Sequence, residues 1–225
     1  MTKKRSNKEG LTALILSVTA IAVMSAVERF LLPPYFLKSI IKVTVFTMTI
    51  LIHGLLFKKS YSQVTGMRFK APSRKLFLFM ILVYLFIILA FLIARDQIDL
   101  DMIEERLLEK EGLNRDNFLF IFSYIILCNS YLEESFFRGY LSRHLNSDAR
   151  IARIGSAILF ALYHVSIMSG WFSPVLFILL IVGLSISALV LQYIADREGT
   201  IAASWLVHAF ANLAINTIGT IMILT

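Results

Sequence analysis

Two adjacent acids, Glu133 and Glu134, close an apolar run that begins near Phe118, and Arg138 follows the second acid by four residues. An acid carried into a bilayer is expensive, so such a residue is read first as functional. Residues four apart share a helix face, and Glu N-terminal to Arg is the favourable order, so the intrahelical ion pair belongs to Glu134 and Arg138. On a helix of 3.6 residues per turn, Glu133 is rotated about 100° from Glu134 and about 140° from Arg138. It has no partner on its own helix and must be satisfied from elsewhere in the chain.

Three further polar groups lie in apolar stretches. His164 follows Phe160 by four residues, and His208 and Asn212 are also four apart, hence on one face. At 1.5 Å per residue, His164 lies about 15 Å from the start of its span near Ile154, and His208 and Asn212 lie about 12 and 18 Å from Thr200. Glu133 lies about 23 Å from Phe118 on a helix running the other way, which is the same half of a ~30 Å hydrocarbon core. A carboxylate, two imidazoles and an amide at one depth suit hydrolysis of an amide bond. Glu133 would polarise a water as general base, and Asn212 would donate to a developing oxyanion. Alternatively, Glu133, His164 and His208 form a Zn²⁺ ligand set with a position left open for water. Ser135 points to a different face from the acids and does not suit a serine nucleophile. His53 lacks a matching acid and reads as structural or interfacial; His144 reads as a solvated loop residue. Cys128 reads as a small core residue, and Asn129 and Asn216 as helix-packing groups.

Helices must carry these groups. Of the 225 residues, 58% are hydrophobic, and the mean hydropathy of +0.76 is far above that of a soluble domain. The expected fold is all-α: a polytopic membrane helical bundle of about seven transmembrane helices, with residues 1–225 as a single integral-membrane domain. The apolar spans run over 11–32, 40–57, 76–94, 118–145, 151–168, 175–194 and 200–224. Segment 95–116 holds eight acids against four bases. It reads as a solvated loop, because like-charge pairs weaken a helix over 99–111. The basic stretches 1–10, 58–75 and 138–153 fall on one side of the membrane and the acidic segment on the other. The positive-inside rule then places the N-terminus in the cytoplasm and the C-terminus outside the cell membrane, with the cavity open to the cytoplasm. The net charge of +7 resides in those flanking loops and does not indicate a nucleic-acid partner. A single cysteine excludes an internal disulfide.

Two other function classes compete with hydrolysis. The polar groups suit an ion or proton path in a small transporter, but matched interrupted helices are not seen. A non-catalytic membrane immunity or scaffold protein gives no reason for acids, imidazoles and an amide at one depth. The ordered set Glu133-Glu134-x-x-x-Arg138, Phe160-x-x-x-His164 and His208-x-x-x-Asn212 resembles the CPBP family, the CAAX protease and bacteriocin-processing (Abi) membrane proteins. The likeness covers about 118–216, including Arg138-Gly139 and the Gly199-Thr200 turn. It implies a helical intramembrane endopeptidase, related to the type II CAAX prenyl endopeptidases, that cuts a membrane-associated protein or peptide. By position it implies that Glu133 activates water, that Glu134 and Arg138 support it, that His164 and His208 bind water or metal, and that Asn212 serves the oxyanion. The family has been described both as zinc metalloproteases and as metal-independent glutamate-dependent proteases. Its bacterial members are associated with bacteriocin immunity, peptide maturation and regulatory processing.

Overall fold

The computed structural model describes residues 7–68, 71–168 and 170–224; the basic arm 1–6 and Lys70 of the basic 58–75 stretch lie outside the described residues. In chain order the helices are α1 (Asn7–Leu31), α2 (Tyr35–Leu56), short α3 (Tyr61–Thr65), α4 (Arg74–Gln97), α5 (Leu100–Glu105), α6 over 118–144, α7 (Ala149–Met168), α8 (Pro174–Glu198) and α9 (Ile201–Leu224). No strand occurs among the described residues. Six helices, α1, α2, α4, α7, α8 and α9, are long and apolar enough to cross a membrane. The seventh expected span is α6, in which ordinary α-helical turns alternate with wider π turns over Ile125–Asn129 and Glu134–Leu141.

Local chemistry sets the helix ends. Leu32 turns left-handed at φ 44°, and Pro33-Pro34 has no N–H to continue α1. The Ser73 hydroxyl accepts from the Leu76 N–H at 3.2 Å and caps α4. Pro174 occupies the first turn of α8, where its missing N–H costs nothing. Gly199 ends that helix at φ 71°, a conformation that glycine adopts freely.

The acidic segment differs from its reading as a loop. Asp99 caps α5 by accepting from the Met102 N–H at 3.0 Å, and a π turn, Arg106–Lys110, continues it. Glu111, at its end, is buried against Lys38 of α2 at 2.8 Å, and Lys38 also reaches Glu28 of α1 at 2.8 Å. These cross-links outweigh the local like-charge repulsion.

The main core joins α1, α2, α6, α7 and α8 around Phe46, Phe136, Phe137, Tyr140 and Tyr163. The Phe46 and Phe136 rings stack at 4.1 Å. A second cluster packs Leu76 and Met80 of α4 on Ala203 and Val207 of α9. Gly139 lets α3 touch α6: a Cβ there would sit 2.9 Å from the Thr65 carbonyl oxygen. Two side chains lie elsewhere than expected. His144 is buried under α1 and α3 rather than solvated, and Cys128 is exposed rather than packed in the core.

Candidate active site

Wide turns in a helix displace carbonyls from their usual partners, and such turns recur at functional sites. In α6 the Leu127 carbonyl accepts from Trp205 Nε1 at 3.0 Å and the Ile125 carbonyl from Asn212 Nδ2 at 3.1 Å. Asn216 Nδ2 reaches the Phe122 carbonyl one turn earlier at 3.1 Å. From α7, the Ser156 hydroxyl donates to the Phe137 carbonyl at 2.7 Å. One face of α9 and one residue of α7 thus hold α6 in register, and Asn216 acts in helix packing.

Glu133 and Glu134 are both buried, at 2% and 0% exposure. The Glu134 Oε1 lies 3.1 Å from Arg138 Nη1 and accepts from His208 Nδ1 at 2.9 Å. Arg138 lies over the Phe160 ring, 4.3 Å from its centroid. Its Nη atoms make no aligned hydrogen bond, so the contact with Glu134 is one of charge alone. The second oxygen of Glu134 is buried without a hydrogen-bond partner. This is a desolvated pair, sensitive to loss of either member.

Glu133 is satisfied from α2. Its Oε1 accepts from Lys42 Nζ at 2.5 Å and from Asn129 Nδ2 at 3.2 Å. The Lys42 ammonium also donates to Asn129 Oδ1 at 2.7 Å. The other oxygen, Oε2, faces His208 Nε2 at 3.7 Å and His164 Nε2 at 3.9 Å. His164 Nδ1 donates to the Phe160 carbonyl at 2.8 Å, and His208 Nδ1 is turned to Glu134. In the neutral rings both Nε2 lone pairs therefore point at Glu133. Gaps of this length exceed a direct hydrogen bond and suit a bridging water.

The geometry thus brings Glu133, Glu134, Arg138, His164 and His208 into one contiguous group. Asn212 stands one turn along α9 from His208, with one amide N–H committed to the Ile125 carbonyl.

Residues 115–214 match the family model for type II CAAX prenyl endopeptidase Rce1-like proteins. The CPBP resemblance stands on that match, which overlaps the stretch carrying the three motifs and contains all six candidate residues. The family is one of proteases, and with its six bilayer-length helices the chain is a multi-pass membrane protein. No curated protein and no solved structure matches the chain.

Lys42 belongs to the site although none of the motif spacings contains it. It lies outside the matched region, and its signal in the sequence was a lysine within the apolar stretch 40–57, where a charge is costly without a partner. Zinc at the expected ligands meets a mixed test. A carboxylate and two imidazoles are the right donors. However, among the described residues the group whose donor atoms all lie within 4.8 Å of one another is Glu9, His53 and His144, not Glu133, His164 and His208. Lys42 also supplies a cation at Glu133 already. The expected set is therefore a poor fit for a closed metal site.

Proposed function

We propose that the chain is an intramembrane endopeptidase that hydrolyses a peptide bond of a membrane-associated protein or peptide by glutamate-dependent activation of water. The observation that carries this reading is the approach of Glu133 Oε2 to the Nε2 atoms of both His164 and His208, at 3.9 and 3.7 Å. A water in that gap gives one proton to Glu133 as its oxygen attacks the scissile carbonyl. The imidazoles hold the water's orientation. Glu133 then returns the proton to the leaving amine, so the carboxylate is regenerated. Lys42 fixes one oxygen of Glu133, leaving the other for chemistry. Glu134 and Arg138 are positioning residues: Glu134 orients the His208 ring, and Arg138 neutralises Glu134. The amide of Asn212 has a second N–H for the oxyanion.

The cavity opens to the cytoplasm in this reading, with the N-terminus on the same side. Of the roles implied by the resemblance, peptide maturation and regulatory cleavage require this hydrolysis, and bacteriocin immunity is compatible with it. The test is incubation of purified protein in detergent with a membrane-peptide extract, followed by mass spectrometry of new peptide ends. New ends with wild type and none with Glu133→Gln are expected. Equal cleavage by both proteins refutes the assignment of Glu133, and no cleavage by wild type refutes the enzyme.

A further inference from the structure

The geometry points to a second site, a structural Zn²⁺ site formed by Glu9, His53 and His144, which ties the N-terminal hairpin to the end of α6. Glu9 comes from α1 and His53 from α2, both outside the region that matches the protease family. His144 ends the helix that carries Glu133 and Glu134. All three are buried, His53 completely, His144 at 3% and Glu9 at 8% exposure.

The ring hydrogens are placed by their partners. His144 Nε2 lies 3.1 Å from the Val64 carbonyl, which only accepts, so that nitrogen carries the proton. In the neutral ring His144 Nδ1 then turns its lone pair toward Glu9 Oε1, 2.7 Å away. The Tyr140 hydroxyl lies 3.5 Å from both the Ala13 carbonyl and His53 Nδ1; when it donates to the carbonyl, its oxygen receives the N–H of His53 Nδ1. In that tautomer His53 Nε2 carries a lone pair, buried and without a hydrogen-bond partner, 3.5 Å from the same Glu9 oxygen. Two imidazole nitrogens and a carboxylate oxygen thus converge on one point, where a cation would engage all three, whereas the Lys59 ammonium is paired with the carboxylate alone. Metal-bound histidines characteristically donate their other N–H to a carbonyl or a similar acceptor, as both rings do here.

The dimensions suit zinc. Bonds of ~2.0–2.1 Å in a tetrahedron set ligand atoms about 3.3 Å apart. The 3.5 Å separation of Glu9 from His53 is close to this, and the 2.7 Å separation from His144 must widen slightly. The fourth position is left for water. Lys59 reaches Glu9 from the end of α2, and its ammonium competes for the carboxylate. Unlike Lys42, which is 9% exposed, the Lys59 side chain is 31% exposed and has solvent to withdraw into.

The experiment uses the full chain in detergent, with any affinity tag removed, titrated with Zn²⁺ and with Co²⁺ as an optical probe. The expected result is one equivalent bound, tetrahedral Co²⁺ absorption, and a Tm rise of about 5–10 °C at a hundredfold excess over Kd. His53→Ala and His144→Ala should lose that equivalent, whereas His164→Ala keeps it. Lys59→Met removes the competing cation and should tighten binding about tenfold, a gain that decides the matter even if the histidine variants fail to fold. No binding by wild type, loss of the equivalent in His164→Ala but not in His53→Ala, or unchanged affinity in Lys59→Met would each overturn the site. Because the readout is metal binding, its failure leaves the protease reading untouched.

Discussion

Replacing Lys42 by Met removes the cation from a buried carboxylate while keeping most of the side chain's volume. At the 2.5 Å separation of Lys42 Nζ and Glu133 Oε1, the attraction at an effective dielectric of ~20 is about 6–7 kcal/mol. Taking each ion out of water costs several kcal/mol, so the intact pair adds little net stability. Breaking it is another matter, because the stranded charge keeps its desolvation cost, and the expected loss is ~3–5 kcal/mol. For a chain of this size that is a fall in Tm on the order of 6–20 °C. Glu133→Gln should cost less, since the amide carbonyl still accepts from Lys42 and Asn129 Oδ1 still holds the ammonium at 2.7 Å. The double variant has no stranded charge and should recover most of the loss, giving a coupling of at least ~2 kcal/mol. The assay is thermal unfolding of all four proteins in one detergent, with turnover measured alongside. Melting of Lys42→Met within about 2 °C of wild type, together with an additive double variant, would refute the pairing and Lys42's role in holding the base.

The remaining expectations concern the surrounding parts. Glu134→Gln and Arg138→Met should each lower Tm by an amount similar to Lys42→Met, and combining them should be less than additive, as a double-mutant cycle of melting temperatures will show. Gly139→Ala should destabilise by ~1–3 kcal/mol, read as a lower Tm, because the new methyl meets the Thr65 backbone and pushes α3 off α6. Single cysteines at Ser62 and Asn114 in a Cys128→Ser background should label from opposite sides, with Ser62 shielded from an impermeant thiol reagent in intact cells and Asn114 modified; the reverse pattern places the N-terminus outside.

Spacing made part of the site legible. Four-residue intervals put Glu134 beside Arg138 and Asn212 on the face of His208, and hydropathy located the spans to within a few residues. What spacing cannot carry is the pairing of charges from distant segments. Lys42 and Glu133 are 91 residues apart in sequence, and Lys38 is 73 from Glu111. Lys42 falls inside the apolar span 40–57 and Lys38 just before it, but nothing local to either lysine names its partner. The same limit hid His144, whose basic neighbours suggested solvent while α1 and α3 cover it. The wide turns of α6 leave no signature in residue type, because backbone partners on α7 and α9 support them.

The pairing of Lys42 with Glu133 also bears on how the protein is made. A chain leaves the ribosome N-terminus first. When α2 enters the bilayer, Glu28 has already been synthesised and can receive Lys38, 2.8 Å away in the finished protein. The carboxylate for Lys42 is still unmade. An unmatched lysine within a span disfavours insertion, by up to ~2.5–3.5 kcal/mol at the helix centre, so α2 is a provisional segment until α6 arrives. Biogenesis then has a built-in order: the step that settles α2 in the membrane is the step that completes Glu133, and a nascent chain that stalls before α6 carries neither a stable hairpin nor a reactive centre.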